Sequence, residues 1–224
     1  MSGCCTPGGT ARYFDRHTRR YEKKFRRKGL DAQQSMLLGA IRATGLDGRT
    51  VLEIGCGVGG LQLGLLGAGA ARATGVDLSA AMIAQAEENA SYLGMGSRAD
   101  FRTGDFLELA QDLPMADIVA LDKVVCCTAR GEELLRTSLG KARATYAISY
   151  PRNSLAAKVY FKSVEFAGRR LAWSFHPYYY EPEWIRETIL GEGWRAAWAG
   201  VTPIWAVEVY SKSPGGIRET GGGS

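Results

Sequence analysis

The segment VLEIGCGVGG, at residues 51–60, passes from a short apolar run with Glu53 inside it into a glycine-rich turn. The pattern predicts a buried strand, then a loop, then the start of a helix. Glycine suits such a loop because it tolerates positive φ and leaves room for a ligand beside the main chain. The first helical turn offers unpaired N–H groups to a polar ligand. The segment therefore predicts a nucleotide site with Gly55, Gly57 and Gly59 in its loop, the alternative being glycines that only form a turn.

The glycine spacing fits two kinds of site. Gly55-x-Gly57-x-x-Gly60 satisfies the dinucleotide fingerprint, and Gly55-x-Gly57-x-Gly59 satisfies the loop of class I S-adenosylmethionine methyltransferases. Either kind of site is consistent with the loop alone, so the decision depends on the residues that follow.

Asp77 closes a second predicted strand about twenty residues beyond the loop, where a carboxylate is expected to accept hydrogen bonds from ribose hydroxyls. The alternative role for Asp77 is to cap the next helix, but Ser79 is equally suited to that role. Asp77 would bind the ribose in an NAD site and in an S-adenosylmethionine site alike, so this residue does not decide between the two cofactors.

Strand and helix patterns alternate through the middle of the chain. Predicted strands cover residues 50–54, 73–76, 99–102, 117–121 and 144–149, and predicted helices cover 60–66, 80–92 and 132–140. This alternation predicts a parallel sheet with right-handed crossovers. Since ligands bind at the carboxyl ends of such strands, we expect Gly55, Asp77, Asp105 and Asp122 on one edge of the sheet.

The pattern changes near the C-terminus. An insertion at about residues 151–180 combines a helix with an aromatic, proline-bearing loop, and a helix follows at 182–190. Strands at 195–199 and 204–210 are joined by a short connection, which predicts an antiparallel hairpin. The predicted fold class is α/β and Rossmann-like: a mixed seven-stranded sheet with the last strand antiparallel and helices on both faces. An all-parallel dehydrogenase domain lacks such a hairpin.

Three neighbours of the loop carry a family resemblance: Glu53 two residues before the first glycine, Asp77, and Gly104-Asp105-Phe106 after the third strand. With them, residues Thr50 to Lys212 resemble a class I S-adenosylmethionine-dependent methyltransferase. The resemblance implies S-adenosylmethionine as the cofactor. It further implies that Glu53 helps to hold the methionine amino group and that Asp105 and Phe106 contact adenine. Leu78 and Asp122 complete the expected cofactor set. For Asp105 the alternative is a helix cap without a ligand role.

The basic character of the chain is confined to residues 10–28, where nine Lys or Arg face two acids, a local charge of +7 against +5 for the whole chain. Aromatic residues at Tyr13, Phe14, Tyr21 and Phe25 fall on one face, which predicts an amphipathic helix. We favour a lid over the substrate site, although a membrane surface, nucleic acid or an acidic substrate would also suit such a helix. Nucleic acid is the less favoured partner.

Four regions follow from these patterns: a disordered lead at 1–9, basic lid helices at 10–45, a methyltransferase domain at 46–212, and a disordered tail at 213–224. With 224 residues, 46% hydrophobic and 23% charged, the chain is typical of one soluble globular domain. It shows no long apolar run and no secretory signal, and five cysteines form a poor disulfide framework, so we expect the cytoplasm. Two distant histidines indicate no metal site.

A narrower resemblance is carried by Tyr13-Phe14-Asp15-Arg16, the GCGxGG loop, LDKVV at 121–125 and WAVEVY at 205–210. These segments are similar to the group related to magnesium-protoporphyrin O-methyltransferases. That resemblance implies O-methylation of a carboxylate on a porphyrin-like small molecule, and the basic helix suits such an anionic acceptor. The chain departs from the group at Cys126, where the porphyrin enzymes typically have histidine.

The candidate residues at the acceptor are Tyr13, Tyr21, Cys126 and His176. The cysteines at 126 and 127 also suit a thiophilic metal or metalloid as the acceptor, or serve only to pack a strand end. A non-catalytic module that binds nucleic acid through the basic helix is the alternative of a different class. The oligomeric state stays open.

Overall fold

Residues 6–212 are described by a computed structural model, in which helices and strands alternate as the sequence predicts. The strands are β1 Thr50–Ile54, β2 Arg72–Asp77, β3 Ala99–Thr103, β4 Ala116–Asp122, β5 Ala142–Pro151, β6 Arg195–Val201 and β7 Trp205–Ser211. The helices are α1 Pro7–Lys28, α2 Ala32–Ala43, α3 Gly60–Gly67, α4 Ala80–Tyr92, α5 Phe106–Leu109, α6 Gly131–Lys141, α7 Leu155–Arg170 and α8 Pro182–Gly191. Single 3₁₀ turns cover Ala110–Asp112 and Val125–Cys127.

The seven strands form one mixed sheet in the order β3-β2-β1-β4-β5-β7-β6. β7 runs antiparallel to both of its neighbours, while the other neighbouring strands pair in parallel. The strand order reverses at β1, and the ends of β1 and β4 meet there, which is where ligands bind in open α/β sheets. The predicted fold class is confirmed.

Side chains of β1 show why this strand lies in the interior of the sheet. Val51 packs in a core with α2 and α3, whereas Leu52 and Ile54 pack in a second core on the other face with α6 and α8. Successive residues of a strand point to opposite faces, so an apolar run is buried by helices on both sides. Glu53 is the exception in this run, because it is a charged residue with only 1% of its surface exposed.

The N-terminal helix begins earlier than predicted. Thr6 caps α1 by accepting a hydrogen bond from the Gly9 backbone N–H at 3.2 Å, and Pro7 occupies the first turn, where its missing N–H costs nothing. The prediction of a disordered lead at 1–9 is therefore wrong for residues 7–9. Residues 1–5, with the Cys4-Cys5 pair, and the predicted tail at 213–224 lie outside the described part of the chain.

The insertion contains α7, and the hairpin after it is tighter than predicted. β6 extends to Val201, so the connection to β7 is confined to residues 202–204. β6 extends this far because it pairs with β7 up to Val201 opposite Ala206. β7 also pairs with β5, from Thr145 opposite Ser211 to Pro151 opposite Trp205, which lengthens β5 at its carboxyl end. This pairing places α7 directly after the edge of the sheet that carries the candidate site.

Candidate functional site

The loop after β1 has the conformation that its glycines predict. Gly55 has φ 70°, and a Cβ at this position would lie 2.4 Å from Cγ2 of Val124, so a larger residue does not fit. Gly57 has φ 53°, and a Cβ there would meet no atom within 4 Å, because this side of the loop faces a cavity. The loop is thus open to a ligand at Gly57.

Asp77, at the end of β2, holds this loop in place. Its carboxylate accepts hydrogen bonds from the backbone N–H of Gly57 and of Ser79, both at 2.9 Å. Burial raises the pKa of Asp77, and the two backbone hydrogen bonds act in the opposite direction. Ser79 Oγ accepts from Met82 N–H at 3.1 Å, so Ser79 caps α4 and Asp77 is not needed as the cap.

Glu53 is buried beside the glycine loop without full hydrogen bonding. Within residues 6–212, its Oε2 has no hydrogen-bond partner. Burial raises the pKa of Glu53 well above its ordinary value, the Asp122 carboxylate adds to the rise, and the Gln62 backbone N–H opposes it. A buried carboxylate oxygen without a partner is costly, so this atom is suited to a cationic ligand group.

Asp105 and Phe106 lie at the end of β3, on the cavity surface. Asp105 caps the short helix α5 by accepting from the Leu107 backbone N–H at 2.9 Å, and Arg130 Nη1 lies 3.7 Å from its other oxygen. Phe106 is 4% exposed. Asp105 therefore caps α5 and also lines the cavity, so the two roles considered for it do not exclude each other.

Asp122 belongs to a charged chain that the sequence did not reveal. Its Oδ1 accepts from Ser149 Oγ at 2.6 Å, and its Oδ2 lies 3.2 Å from Lys123 Nζ. Lys123 Nζ also donates to Asp31 Oδ2 at 2.7 Å, so the cap of α2 is joined to the end of β4. Burial lowers the pKa of Lys123, but the two carboxylates outweigh it and the pKa is raised. Lys123 adopts φ 62°, a strained conformation for a side-chain-bearing residue.

A cavity of about 720 Å³ joins these groups. Of the predicted site residues, those that line it are Glu53, Gly55, Gly57, Asp77, Leu78, Asp105, Phe106, Asp122, Tyr13, Tyr21 and Cys126. The cavity continues from the glycine loop to a wall of aromatic rings contributed by α1, α7 and the loop after α7. Its lining includes the cationic residues Arg20, Lys24, Lys123 and Arg130. Lys123 and Arg130 lie beside the carboxylates of Asp122 and Asp105, whereas Arg20 and Lys24 belong to α1. The cavity thus has an acidic half next to β1 and β2 and an aromatic half to which α1 contributes two cations.

Two predicted site residues lie elsewhere. Gly59 is the N-cap of α3, and a Cβ there would lie 3.2 Å from Cβ of Ala86, so this glycine permits helix packing and does not face the cavity. His176 packs beside Gly168 of α7 and is absent from the described cavity lining. His17 does line the cavity, with Nδ1 2.7 Å from the Tyr13 carbonyl oxygen and its ring 4.2 Å from that of Tyr13. His17 lies four residues after Tyr13, so both side chains fall on the same face of α1. This spacing is the sequence signal that places His17 at the cavity.

Cys126 and Cys127 lie on a 3₁₀ turn at the cavity. Both sulfurs are close to the Lys123 carbonyl oxygen, at 3.4 and 3.3 Å. A hydrogen bond with Cys126 and burial raise the pKa of the Cys127 thiol well above its ordinary value. Residues 6–212 contain no group of three potential metal ligands from His, Cys, Asp and Glu.

Asp15 of α1 is a functional candidate that the sequence did not indicate as a site residue. Its Oδ1 accepts from Ser79 Oγ at 2.6 Å and from the Ala81 backbone N–H at 3.3 Å. α1 is therefore attached to the N-terminus of α4, two residues beyond Asp77. Its place in the Tyr13-Phe14-Asp15-Arg16 segment was the only sequence signal.

The strand order and the position of the site are those of the class I methyltransferase fold. Residues 51–142 match the family model described as a methyltransferase domain. Ribosomal protein L11 methyltransferase from Enterobacter sp. (strain 638) is 34% identical over 97 residues, which cover 43% of this chain and 30% of that protein. The chain thus spans about a third of the length of the curated relatives it matches.

Solved structures confirm the fold over most of the chain. The crystal structure of magnesium protoporphyrin IX methyltransferase from Synechocystis PCC 6803 with bound SAH has a TM-score of 0.68 and 22% identity, and covers 89% of this chain and 98% of that one. The same enzyme with bound SAM gives a TM-score of 0.66 at 20% identity, covering 92% and 97%. The predicted Rossmann-like fold of class I methyltransferases is confirmed.

Proposed function

We propose that this protein transfers a methyl group from S-adenosylmethionine to a small anionic acceptor. The observation that carries the proposal is the unpartnered Oε2 of Glu53, buried at the cavity next to a glycine loop that is open at Gly57. S-adenosylmethionine would bring an ammonium group to such a carboxylate, and its sulfonium supplies an activated methyl group. The family model and the structural relatives named above support this cofactor.

The residues fit the other parts of the cofactor as well. Asp77 has a carboxylate at the end of β2, where ribose hydroxyls are bound in this fold class. Asp105 and Phe106 offer a carboxylate and an apolar ring to adenine. Asp122 is already paired with Ser149 and Lys123, so we assign it to support the site electrostatically.

The acceptor half of the cavity favours a flat, apolar anion. Tyr13 lies with its ring 5.2 Å from that of Trp173 and 5.0 Å from that of Phe175. The cations Arg20 and Lys24 also line the cavity, and Lys24 Nζ donates to Asp31 Oδ2 at 3.1 Å. A carboxylate of a porphyrin-like molecule has these properties, and it needs no general base because it is already ionised. Its oxygen would attack the methyl carbon as the carbon–sulfur bond breaks, and the residues of the cavity would align the two groups and exclude water.

Two experiments test this function. Addition of S-adenosylmethionine or S-adenosylhomocysteine should raise the melting temperature of the protein, as a ligand that binds only the folded state must. Radiolabelled methyl transfer should then be measured to a magnesium porphyrin carboxylate and to arsenite. NAD binding in place of S-adenosylmethionine would contradict the proposal, and transfer to arsenite alone would contradict the carboxylate acceptor.

A thiophilic metal or metalloid is the second candidate for the acceptor, because Cys126 and Cys127 both lie at the cavity. Thiolates, not thiols, bind soft metals, and the raised pKa of Cys127 opposes ionisation. This observation favours the carboxylate acceptor.

A non-catalytic nucleic-acid module is the third candidate. Such a module would not need Glu53, Asp77 and Asp105 around one cavity. Tyr13 and Tyr21 of α1 also line that cavity, which supports the enzyme over the module. A gel-shift experiment with nucleic acid, together with the thermal shift, separates it from the enzyme. The cytoplasmic location stays a prediction; no helix between residues 6 and 212 has the length and apolarity needed to cross a membrane.

A further inference from the structure

Helix α7 exposes an unusual amount of apolar surface. Within Leu155–Arg170 only Ala157 and Gly168 are buried. By contrast, Leu155 is 79% exposed, Val159 is 59% exposed and Phe166 is 63% exposed. Isolated exposed apolar residues are normal on a protein surface, but a set that shares one element indicates a contact surface.

These three apolar residues share one face of the helix. At about 100° per residue, Val159 and Phe166 lie within about 40° of Leu155 around the helix axis. Lys162 falls on the same stripe, and Lys158, Arg169 and Arg170 lie beside it. The one acid of α7, Glu165, is paired with Arg169, so the helix carries a net charge of +3. We call this surface, formed by Leu155, Lys158, Val159, Lys162 and Phe166, the α7 stripe.

The α7 stripe lies on the side of α7 that faces away from the acceptor half of the cavity. Tyr160, Phe161 and Val164 of the same helix line the cavity from another side of α7. The loop after α7 is joined to the basic helix α1, since Ser174 Oγ donates to the Gly9 carbonyl oxygen at 2.7 Å. Helices α7 and α1 therefore border one cavity, and the α7 stripe is the outer face of α7.

We propose that the α7 stripe is a docking surface for an anionic phospholipid bilayer, with α7 lying in the plane of the interface. An amphipathic helix with apolar residues on one face and Lys or Arg beside them has the chemistry of an interfacial helix. Leu155, Val159 and Phe166 would enter the boundary between headgroups and acyl chains, while Lys158 and Lys162 would pair with lipid phosphates.

Charge complementarity selects this occupant over a second copy of the chain. Two copies in contact through the α7 stripe would bring two faces of the same positive sign together, which costs free energy. An anionic bilayer supplies the opposite charge and an apolar layer at once. The docking itself does not depend on the proposed methyl transfer.

Vesicle flotation tests the proposal. The full chain is mixed with phosphatidylcholine vesicles or with mixed phosphatidylcholine and phosphatidylglycerol vesicles, at low and at high salt. We expect binding to the mixed vesicles only, weakened by salt. Phe166→Ser and Lys162→Glu should each reduce the partition coefficient by roughly tenfold.

Matched controls make the outcome specific to α7. Leu190→Ser removes an apolar side chain that is 49% exposed on α8, and Arg72→Glu reverses a charge at the start of β2, at the end of the sheet opposite the cavity. Both should bind vesicles like the wild type, and circular dichroism should show all four variants folded. Equal binding by Phe166→Ser and wild type would overturn the proposal. So would absence of vesicle binding together with a dimer, seen by sedimentation, that Phe166→Ser dissociates.

Discussion

Replacing Glu53 by Gln gives the sharpest test of the cofactor site. In the structure, Glu53 is 1% exposed and its Oε2 has no partner among residues 6–212. Gln has nearly the same size and shape, so the packing around β1 should survive, whereas the negative charge is lost. The proposed cofactor would then bring its ammonium group to a neutral amide.

The magnitude follows from the type of interaction. A hydrogen bond to a charged group contributes about 1.5–3 kcal/mol, so Glu53→Gln should weaken S-adenosylmethionine binding by roughly 10- to 150-fold. The ligand-free Glu53→Gln protein should be more stable than the ligand-free wild type. Its buried carboxyl carries a penalty when ionised, and the amide does not.

The pH dependence has a definite sign. Burial, Asp122 and Asp77 raise the pKa of Glu53, while the Gln62 backbone N–H and Lys123 oppose the rise. A raised carboxyl pKa stabilises the folded state below the unfolded-state value of about 4.3, and that contribution is lost as the pH rises through the folded-state pKa. Glu53→Gln should therefore gain in melting temperature relative to the wild type as the pH increases.

Isothermal titration calorimetry in two buffers with different ionisation heats measures the affinity and the proton release on binding. Differential scanning calorimetry over a range of pH measures the melting temperature. The wild type should bind more tightly as the pH rises through the raised pKa and should release a proton on binding, and Glu53→Gln should lose this part of the proton release. Glu87→Gln makes the same chemical change at an exposed position of α4 and is the matched control. A folded Glu53→Gln protein with wild-type affinity would refute the assignment of Glu53 to the ammonium group.

Three further predictions concern the neighbouring groups. Asp77→Ala removes the acceptor for the Gly57 and Ser79 N–H groups as well as for the ribose, so calorimetry should show cofactor affinity lowered by about 2 kcal/mol, roughly thirtyfold; unchanged affinity would contradict the ribose role. Asp15→Ala removes the contact between α1 and Ser79, and differential scanning calorimetry should show a melting temperature lower by about 2–4 °C, with less loss in Asp15→Asn. Cys126→Ser should change methyl transfer to a carboxylate by much less than the 10²–10⁴ factor of a lost general base, whereas wild-type transfer to arsenite that Cys126→Ser abolishes would favour the metalloid acceptor.

Much of the cofactor half could be predicted because it is local in the chain. The glycine loop, the capping of α4 by Ser79 and the carboxylates after β1, β2 and β3 each depend on a few consecutive residues. A parallel sheet then brings the carboxyl ends of its strands to one edge, whatever the side chains elsewhere. Glu53, Asp77 and Asp105 therefore lie where the pattern places them, on one cavity.

The acceptor half was decided by contacts between distant segments. Asp15 meets Ser79 across 64 residues, and Lys123 meets Asp31 across 92 residues. His176 lies in the same inserted segment as Trp173, yet the packing of the insertion against α1 turns the tryptophan to the cavity and leaves the histidine beside α7. Local periodicity gives the face of a helix but not the neighbour that covers it. That neighbour is chosen by the packing of the whole chain, which only the tertiary structure reveals.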